Sequence, residues 1–245
     1  MKKIIRGIAI LTVVLFTFMS YKLVVYYKAE ALLQGAGDYL KLTPTPLQVK
    51  PLEGLKTLSK TVHQLNFAYP DKALLSDTNF TSSASIKFED SSSLYFSSNH
   101  DNLNLDYLRV LRADPASPFT NSFIKYISEQ GISTNAQLIN HTFFLQPGDV
   151  SWWDDSDQVR AQFVLLRLKE LMMANGVEQG FYHFTTDHLK GFTFGDGQAP
   201  MSTVLIQLFD FQDNEYTLIA KGFDWPTLVA LLQAITPTAN PATNK

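Results

Sequence analysis

Residues 4–27, IIRGIAILTVVLFTFMSYKLVVYY, determine how the rest of the chain is organised. Within this stretch only Arg6 and Lys22 are charged, and 15 uncharged residues separate them. As a helix those residues would be about 22 Å long, which is short for a hydrocarbon core of roughly 30 Å. Extension through Tyr27 gives about 21 residues, enough to cross a bilayer. The stretch therefore predicts a transmembrane helix.

The charged and aromatic residues around this helix predict its orientation. Lys2, Lys3 and Arg6 form a basic tip that favours the cytoplasmic side, so the chain after residue 28 is expected outside the cell membrane. The lysine at the far interface can snorkel to the headgroups, and tyrosines suit the aromatic belt there. The residues predicted to anchor the helix are Arg6, Tyr21, Lys22, Tyr26 and Tyr27.

A cleaved signal peptide is the alternative interpretation of the same stretch. Ala29-Glu30-Ala31 has the small-x-small pattern of a cleavage site. Lys22 and Lys28 interrupt the approach to it, however, and the site lies far from the apolar run. A buried core helix is disfavoured because no polar stripe breaks the run. We therefore expect the helix to be retained as a signal anchor.

The composition limits the class of the outer domain. Hydrophobic residues make up 45% of the chain and aromatic residues 13%, which excludes a disordered tether. The net charge of -3 gives no electrostatic reason to expect nucleic acid. Because the chain has no cysteine, thiol nucleophiles, thiolate metal sites and a lipidated N-terminal cysteine are excluded. We expect no cofactor and no metal.

Hydrophobic periodicity predicts an α+β domain beyond the membrane helix. The apolar residues between Leu52 and Leu65 recur at spacings of three and four, which indicates an amphipathic helix beginning near Pro51. Residues 66–85 carry turn formers and are expected to be irregular. A hairpin follows, with strands at 85–89 and 93–97 around the turn Glu89-Asp90-Ser91-Ser92.

The second half of the chain predicts helices followed by a four-strand meander. Because the links between the four strands are short, neighbouring strands must be antiparallel. Helices are expected at 118–130, 133–144 and 154–174, strands at 179–185, 191–195, 203–211 and 215–221, and a last helix after Asp224. The predicted organisation is a tip and anchor at 1–28, a stalk at 29–50, one antiparallel sheet covered by helices at 51–236 and a disordered tail at 237–245.

Two features stand out as candidate contact sites. Four aspartates between Asp149 and Asp157 lack the spacing and the glycine of a calcium loop, and such residues are ordinary at a helix N-terminus. Trp152 and Trp153 are candidates for contact with a ligand or a protein partner. The alternative is that they pack beneath the helix that follows.

No sequence motif in the chain identifies a catalytic activity. The candidate catalytic residues are His100, His183, Asp187 and His188, which a hydrolase could bring together from distant positions. No nucleophile elbow, zinc-protease motif or phosphate-binding loop accompanies them. The leading hypothesis is a membrane-anchored, non-catalytic binding or assembly module, in contact with the bilayer through residues 4–27. The alternative is a membrane-tethered hydrolase.

Overall fold

A computed structural model describes residues 2–99, 118–173, 180–195 and 202–238. The fold is mixed helix and sheet, as the sequence predicts. The chain divides into a helical unit and a sheet unit. The helical unit comprises the described residues within Met1–Leu42, Asn104–Ser133 and Leu138–Met172, and the sheet unit those within Thr43–Leu103, Thr134–Gln137 and Met173–Lys245.

The helices of the N-terminal and middle regions form where apolar residues recur at helical spacing. They are α1 (Lys2–Glu30), α2 (Pro118–Glu129), α3 (Asn135–Phe144) and α4 (Ser156–Met173). Pro118 begins α2 and Gly131, in the left-handed region with φ 67°, follows its end, which is the arrangement the sequence predicts. Most of the circumference of α4 is buried, including Phe163, Leu165 and Leu168.

The sheet unit contains an eight-stranded sheet and a three-stranded sheet. Its strands are β1 (Thr45–Pro46), β2 (Thr57–Val62), β3 (Leu65–Pro70), β4 (Leu74–Asn79), β5 (Ser83–Phe88), β6 (Ser93–Asn99), β7 (Phe181–Thr185), β8 (Leu189–Phe194), β9 (Thr203–Asp210), β10 (Glu215–Lys221) and β11 (Thr236–Pro237). The larger sheet has the order β1-β7-β8-β9-β10-β6-β5-β4, and the smaller has the order β11-β3-β2.

The predicted C-terminal meander is confirmed. β7, β8, β9 and β10 pair antiparallel with their sequence neighbours, and β10 also pairs antiparallel with β6 of the predicted hairpin β5–β6. The last helix, α5 (Trp225–Ala234), begins as predicted, because the Asp224 carboxylate accepts the Thr227 amide at 2.8 Å. Its buried residues Leu228, Leu231 and Leu232 join the core of the sheet unit.

The helix predicted from Pro51 to Leu65 is wrong. The chain instead forms the hairpin β2–β3, and His63, in the left-handed region with φ 55°, lies in its tight turn. The predicted irregular region at 66–85 is also wrong, because β3 and β4 occupy most of it. The leucines of this region satisfy helical spacing by coincidence, and β2 buries only its last residue.

The predicted stalk contributes to the sheet. Thr45 and Pro46 pair parallel with Tyr182 and His183 of β7, and the Leu47 amide donates to the His183 carbonyl at 2.8 Å. Proline suits this position because an edge strand does not require every backbone N–H.

The predicted disordered tail at 237–245 is wrong at its start, because Pro237 pairs with Leu65 of β3 and the Thr238 amide donates to the Gln64 carbonyl at 2.8 Å. The rest of that tail, from 239 onward, and His100 lie outside the described residues.

We predict that Gly191→Ala destabilises the sheet unit by about 3 kcal/mol. Gly191 lies in β8, where a methyl group would overlap the carbonyl oxygen of Gln207 and lie 3.0 Å from Cζ of Phe184. The matched control is Gly148→Ala, because no atom lies within 4 Å of the added methyl group there. Denaturant unfolding of the full chain in detergent measures both. Equal stability of the two variants would contradict the packing described here.

Candidate functional site

The first part of α1 exposes its apolar side chains. Nine large apolar residues between Ile8 and Met19 are 38% to 72% exposed. The segment Gly7–Leu33 reaches a mean hydropathy of 2.2 and is long and apolar enough to cross a membrane. The hydroxyls of Thr12 and Thr17 donate to carbonyls one turn earlier, at 2.9 and 2.8 Å. Both threonine hydroxyls are thus satisfied within the helix.

The last part of α1 packs against the helical unit. Val25 is 7% exposed and Ala29 is fully buried. The Tyr26 ring meets the Phe163 ring of α4 edge-on, with 5.3 Å between centroids. One helix therefore has an exposed apolar half and a buried end.

Lys22 marks the point where these two halves meet. Its ammonium group donates a hydrogen bond to the backbone carbonyl of Asp154, in the loop that precedes α4. The same nitrogen lies over the ring of Phe18, 5.6 Å from the centroid. Lysine side chains on a helix point toward its N-terminus, so this contact is made one turn closer to the exposed apolar half.

The loop held by Lys22 presents two indole rings in contact, tilted by 30° to each other. The centroids of Trp152 and Trp153 lie 3.9 Å apart, and Trp153 is 54% exposed. A tight turn supports them, because the Asp154 amide donates to the Ser151 carbonyl at 3.0 Å and the Trp153 amide to the Ser151 hydroxyl at 3.3 Å. The alternative prediction, that the indoles pack beneath α4, does not hold for Trp153, because its side chain is exposed. Its exposed ring is available for an external contact.

The aspartates beside the indoles organise the start of α4. Asp155 accepts the Asp157 amide at 2.9 Å. Asp157 accepts the Ser122 hydroxyl at 2.8 Å and the Lys125 ammonium at 3.0 Å, and these hydrogen bonds lower the pKa of its carboxyl. Among the residues that the structure describes, no group of three or more metal-binding side chains occurs. The acidic cluster thus stabilises the helix N-terminus.

An open groove of about 540 Å³ lies beside the buried end of α1. Tyr26 and Tyr27 line one side, and Glu30, Lys41 and Pro147 contribute polar and apolar surface. Its volume falls within the range of small-molecule sites.

The histidine candidates for catalysis occupy separate backbone positions in the sheet unit. His183 is central in β7, whereas Asp187 and His188 form the turn between β7 and β8. The His188 amide donates to the Thr186 hydroxyl at 3.2 Å, and Asp187 is exposed. Asp187 and His188 therefore belong to a turn, whereas His183 lies in a strand, and the hydrogen bonds described for these candidates join none of them to a nucleophile.

His188 lines a second groove, of about 420 Å³, together with Asp210. Phe211 and Gln212 also line it. The carboxylate of Asp210 accepts the backbone amides of Gln212 and Asn214 at 2.8 and 2.9 Å. Because these bonds close the turn between β9 and β10, Asp210 is a structural residue.

Lys169 is a buried cation that the sequence analysis did not single out. Its side chain is fully buried in the helical unit, and its ammonium donates to the carbonyls of Leu42 and Leu145 at 2.7 and 2.8 Å. Burial lowers the pKa of this amine to about 8. The group ties two chain segments to α4. In the sequence, Lys169 interrupts the apolar face of the helix predicted at 154–174. This interruption is the one sequence feature that could have identified it as a buried lysine.

Tyr126 and His141 form a second pair that the sequence analysis did not identify. The tyrosine oxygen and Nε2 of His141 are 3.0 Å apart, and burial lowers the pKa of the imidazole. The pair joins α2 to α3 within the helical unit. This part-buried hydrogen bond between an imidazole and a phenol stabilises helix packing.

Comparisons of the chain with protein-family models, curated proteins and solved structures found no match.

We predict that Lys169 makes stability depend on pH. Lysine titrates near 10.4 in an unfolded chain and near 8 at this site, so the unfolded state binds more protons between these values. The free energy of unfolding therefore rises as the pH rises from about 8 to about 10. Relative to Lys169→Met, which has no amine, the wild-type chain should gain about 2 kcal/mol over this range.

The measurement is denaturant unfolding of both full chains at each pH. Tyrosines and other lysines titrate equally in the two proteins, so their effects cancel in the difference. Parallel stability profiles would contradict the burial of a charged amine at position 169.

Proposed function

We propose that this chain is a single-pass membrane protein whose outer domain is a non-catalytic binding or assembly module at the membrane surface. The observation that carries the proposal is the exposed apolar half of α1, between Ile8 and Met19. Exposure of so much contiguous apolar surface to water is unfavourable, and a bilayer removes that cost.

Retention of the helix is supported by the packing of its C-terminal end. Cleavage within Ala29-Glu30-Ala31 would detach Val25 and Tyr26 from the helical unit and cut beside a fully buried Ala29. A signal peptide that is removed has no reason to contribute to the core of the mature protein. An uncut anchor accounts for these contacts.

A cytoplasmic N-terminus is supported by the distribution of charge. The basic residues Lys2, Lys3 and Arg6 precede the apolar segment. Lys22 and Lys28 at the other end have different roles in this arrangement, since Lys22 is occupied by the Asp154 carbonyl. The outer domain then faces the periplasm or the extracellular space.

A binding role is favoured over hydrolysis by the uses of the polar residues. His188 belongs to a turn and His183 to a strand, and in the helical unit His141 is bonded to Tyr126 and Lys169 to the Leu42 carbonyl. The exposed features are aromatic and apolar instead, as at Trp153. Such residues are enriched where proteins contact partners.

We predict that two truncations separate anchoring from folding. The full chain should remain in the membrane pellet after alkaline carbonate extraction, and a variant beginning at Lys22 should be released as a folded protein. A variant beginning at Ala31 should lose about 2 kcal/mol of stability relative to it, because Val25 and Ala29 no longer bury their side chains. Release of the full chain by carbonate would contradict the anchor, and equal stability of the truncations would contradict its packed end.

We predict that the outer domain can be cross-linked to a partner from outside the cell. Lys56, Lys87 and Lys221 are exposed amines of the sheet unit. A membrane-impermeant amine cross-linker added to intact cells should therefore give a defined adduct, which mass spectrometry identifies. An adduct formed only with a permeant reagent would reverse the orientation. The absence of an adduct with either reagent would contradict an assembly role.

A further inference from the structure

We propose that Trp152 and Trp153 form a second membrane contact, in the headgroup–acyl boundary of the same bilayer that holds α1. The inference rests on the proposed membrane anchor and adds a residue-level contact to it. Its basis is the position of the indole loop along α1, the exposure of Trp153 and the contact of the partly buried Trp152 with it, all within the helical unit.

The hydrogen bond from Lys22 sets the level of the loop. The Lys22 ammonium contacts the Asp154 carbonyl and also lies over the Phe18 ring. Phe18 is 49% exposed and belongs to the apolar half of α1. The Asp154 carbonyl is therefore level with the last turn of the segment that requires lipid, about one helical turn of 5.4 Å from Lys22.

Both indoles are near the Asp154 carbonyl because Trp152 and Trp153 directly precede Asp154 in the chain. Consecutive Cα atoms are about 3.8 Å apart, so Trp153 and Trp152 lie one and two steps from Asp154. The Ser151 hydrogen bonds hold this turn, and the two rings contact each other at a tilt of 30°. Their position is therefore a property of the folded turn.

The chemistry of the loop selects the boundary region of the bilayer. An indole combines a large apolar surface with one N–H donor, and tryptophan is enriched at membrane–water interfaces for this reason. Asp154 and Asp155 follow directly, and their carboxylates resist deeper insertion. Because these residues are acidic, attraction to anionic lipids does not contribute, and zwitterionic lipid is the appropriate partner.

The test uses the full chain in phosphatidylcholine vesicles. Trp225→Phe removes the third tryptophan, so that only Trp152 and Trp153 emit. Vesicles made with lipid brominated near the headgroup end of the acyl chain should quench most of this emission, and lipid brominated near the methyl end should quench it less. The matched control is Trp152→Phe combined with Trp153→Phe, in which Trp225 reports from the sheet unit and should be unaffected.

Vesicle flotation of each variant separates failure of this inference from failure of the anchor. A chain that floats with vesicles but keeps the same indole emission in brominated and ordinary lipid would overturn the second contact and leave the anchor intact. Stronger quenching by the deep bromines would also overturn it. A chain that does not float would overturn both. Circular dichroism confirms that the variants are folded.

Discussion

The continuity of α1 is the constraint on which the membrane side of this protein depends. The helix has an exposed apolar half, yet near its end Val25 and Ala29 are buried and the Tyr26 ring contacts Phe163 of α4. No proline interrupts it, and its one glycine, Gly7, is near the start. A helix of this kind bends little, because a sharp kink requires a break in its hydrogen bonds. The orientation of the helical unit is therefore coupled to that of α1.

The parts of the fold that depend on local signals were predictable from the sequence. The four C-terminal strands are joined by short links, which leaves antiparallel neighbours as the only arrangement. Asp224 and Pro226 mark the start of α5 with side-chain chemistry that acts within one turn. The hairpin turn around Asp90 is equally local, since its carboxylate accepts the amide and hydroxyl of Ser92. Hydrogen bonds from Ser92 and from Lys72 lower the pKa of this carboxyl to about 2.

The parts that depend on distant contacts were not predictable. Between Leu52 and Leu65 the leucine spacing fits a helix, and the competing hairpin is stabilised by β11, some 170 residues later in the chain. From the sequence alone, a lysine at position 169 is expected to be solvated. Only the structure shows its hydrogen bonds to the carbonyls of Leu42 and Leu145. The N-terminal segment was predicted correctly as a long apolar helix. Its bond to the indole loop joins residues 132 positions apart, which no local pattern encodes.

The packed end of α1 also bears on what the tether does. A flexible stalk would let the attached domain rotate freely, whereas Lys22 and Val25 couple the helical unit directly to the membrane helix. Restricting rotation costs conformational entropy, which an enzyme acting on a diffusing substrate has no evident need to spend. A module that presents one surface to a partner in the same membrane does benefit, because a restricted orientation lowers the entropy lost on binding. The buried end of the anchor is thus a physical reason to favour assembly over hydrolysis.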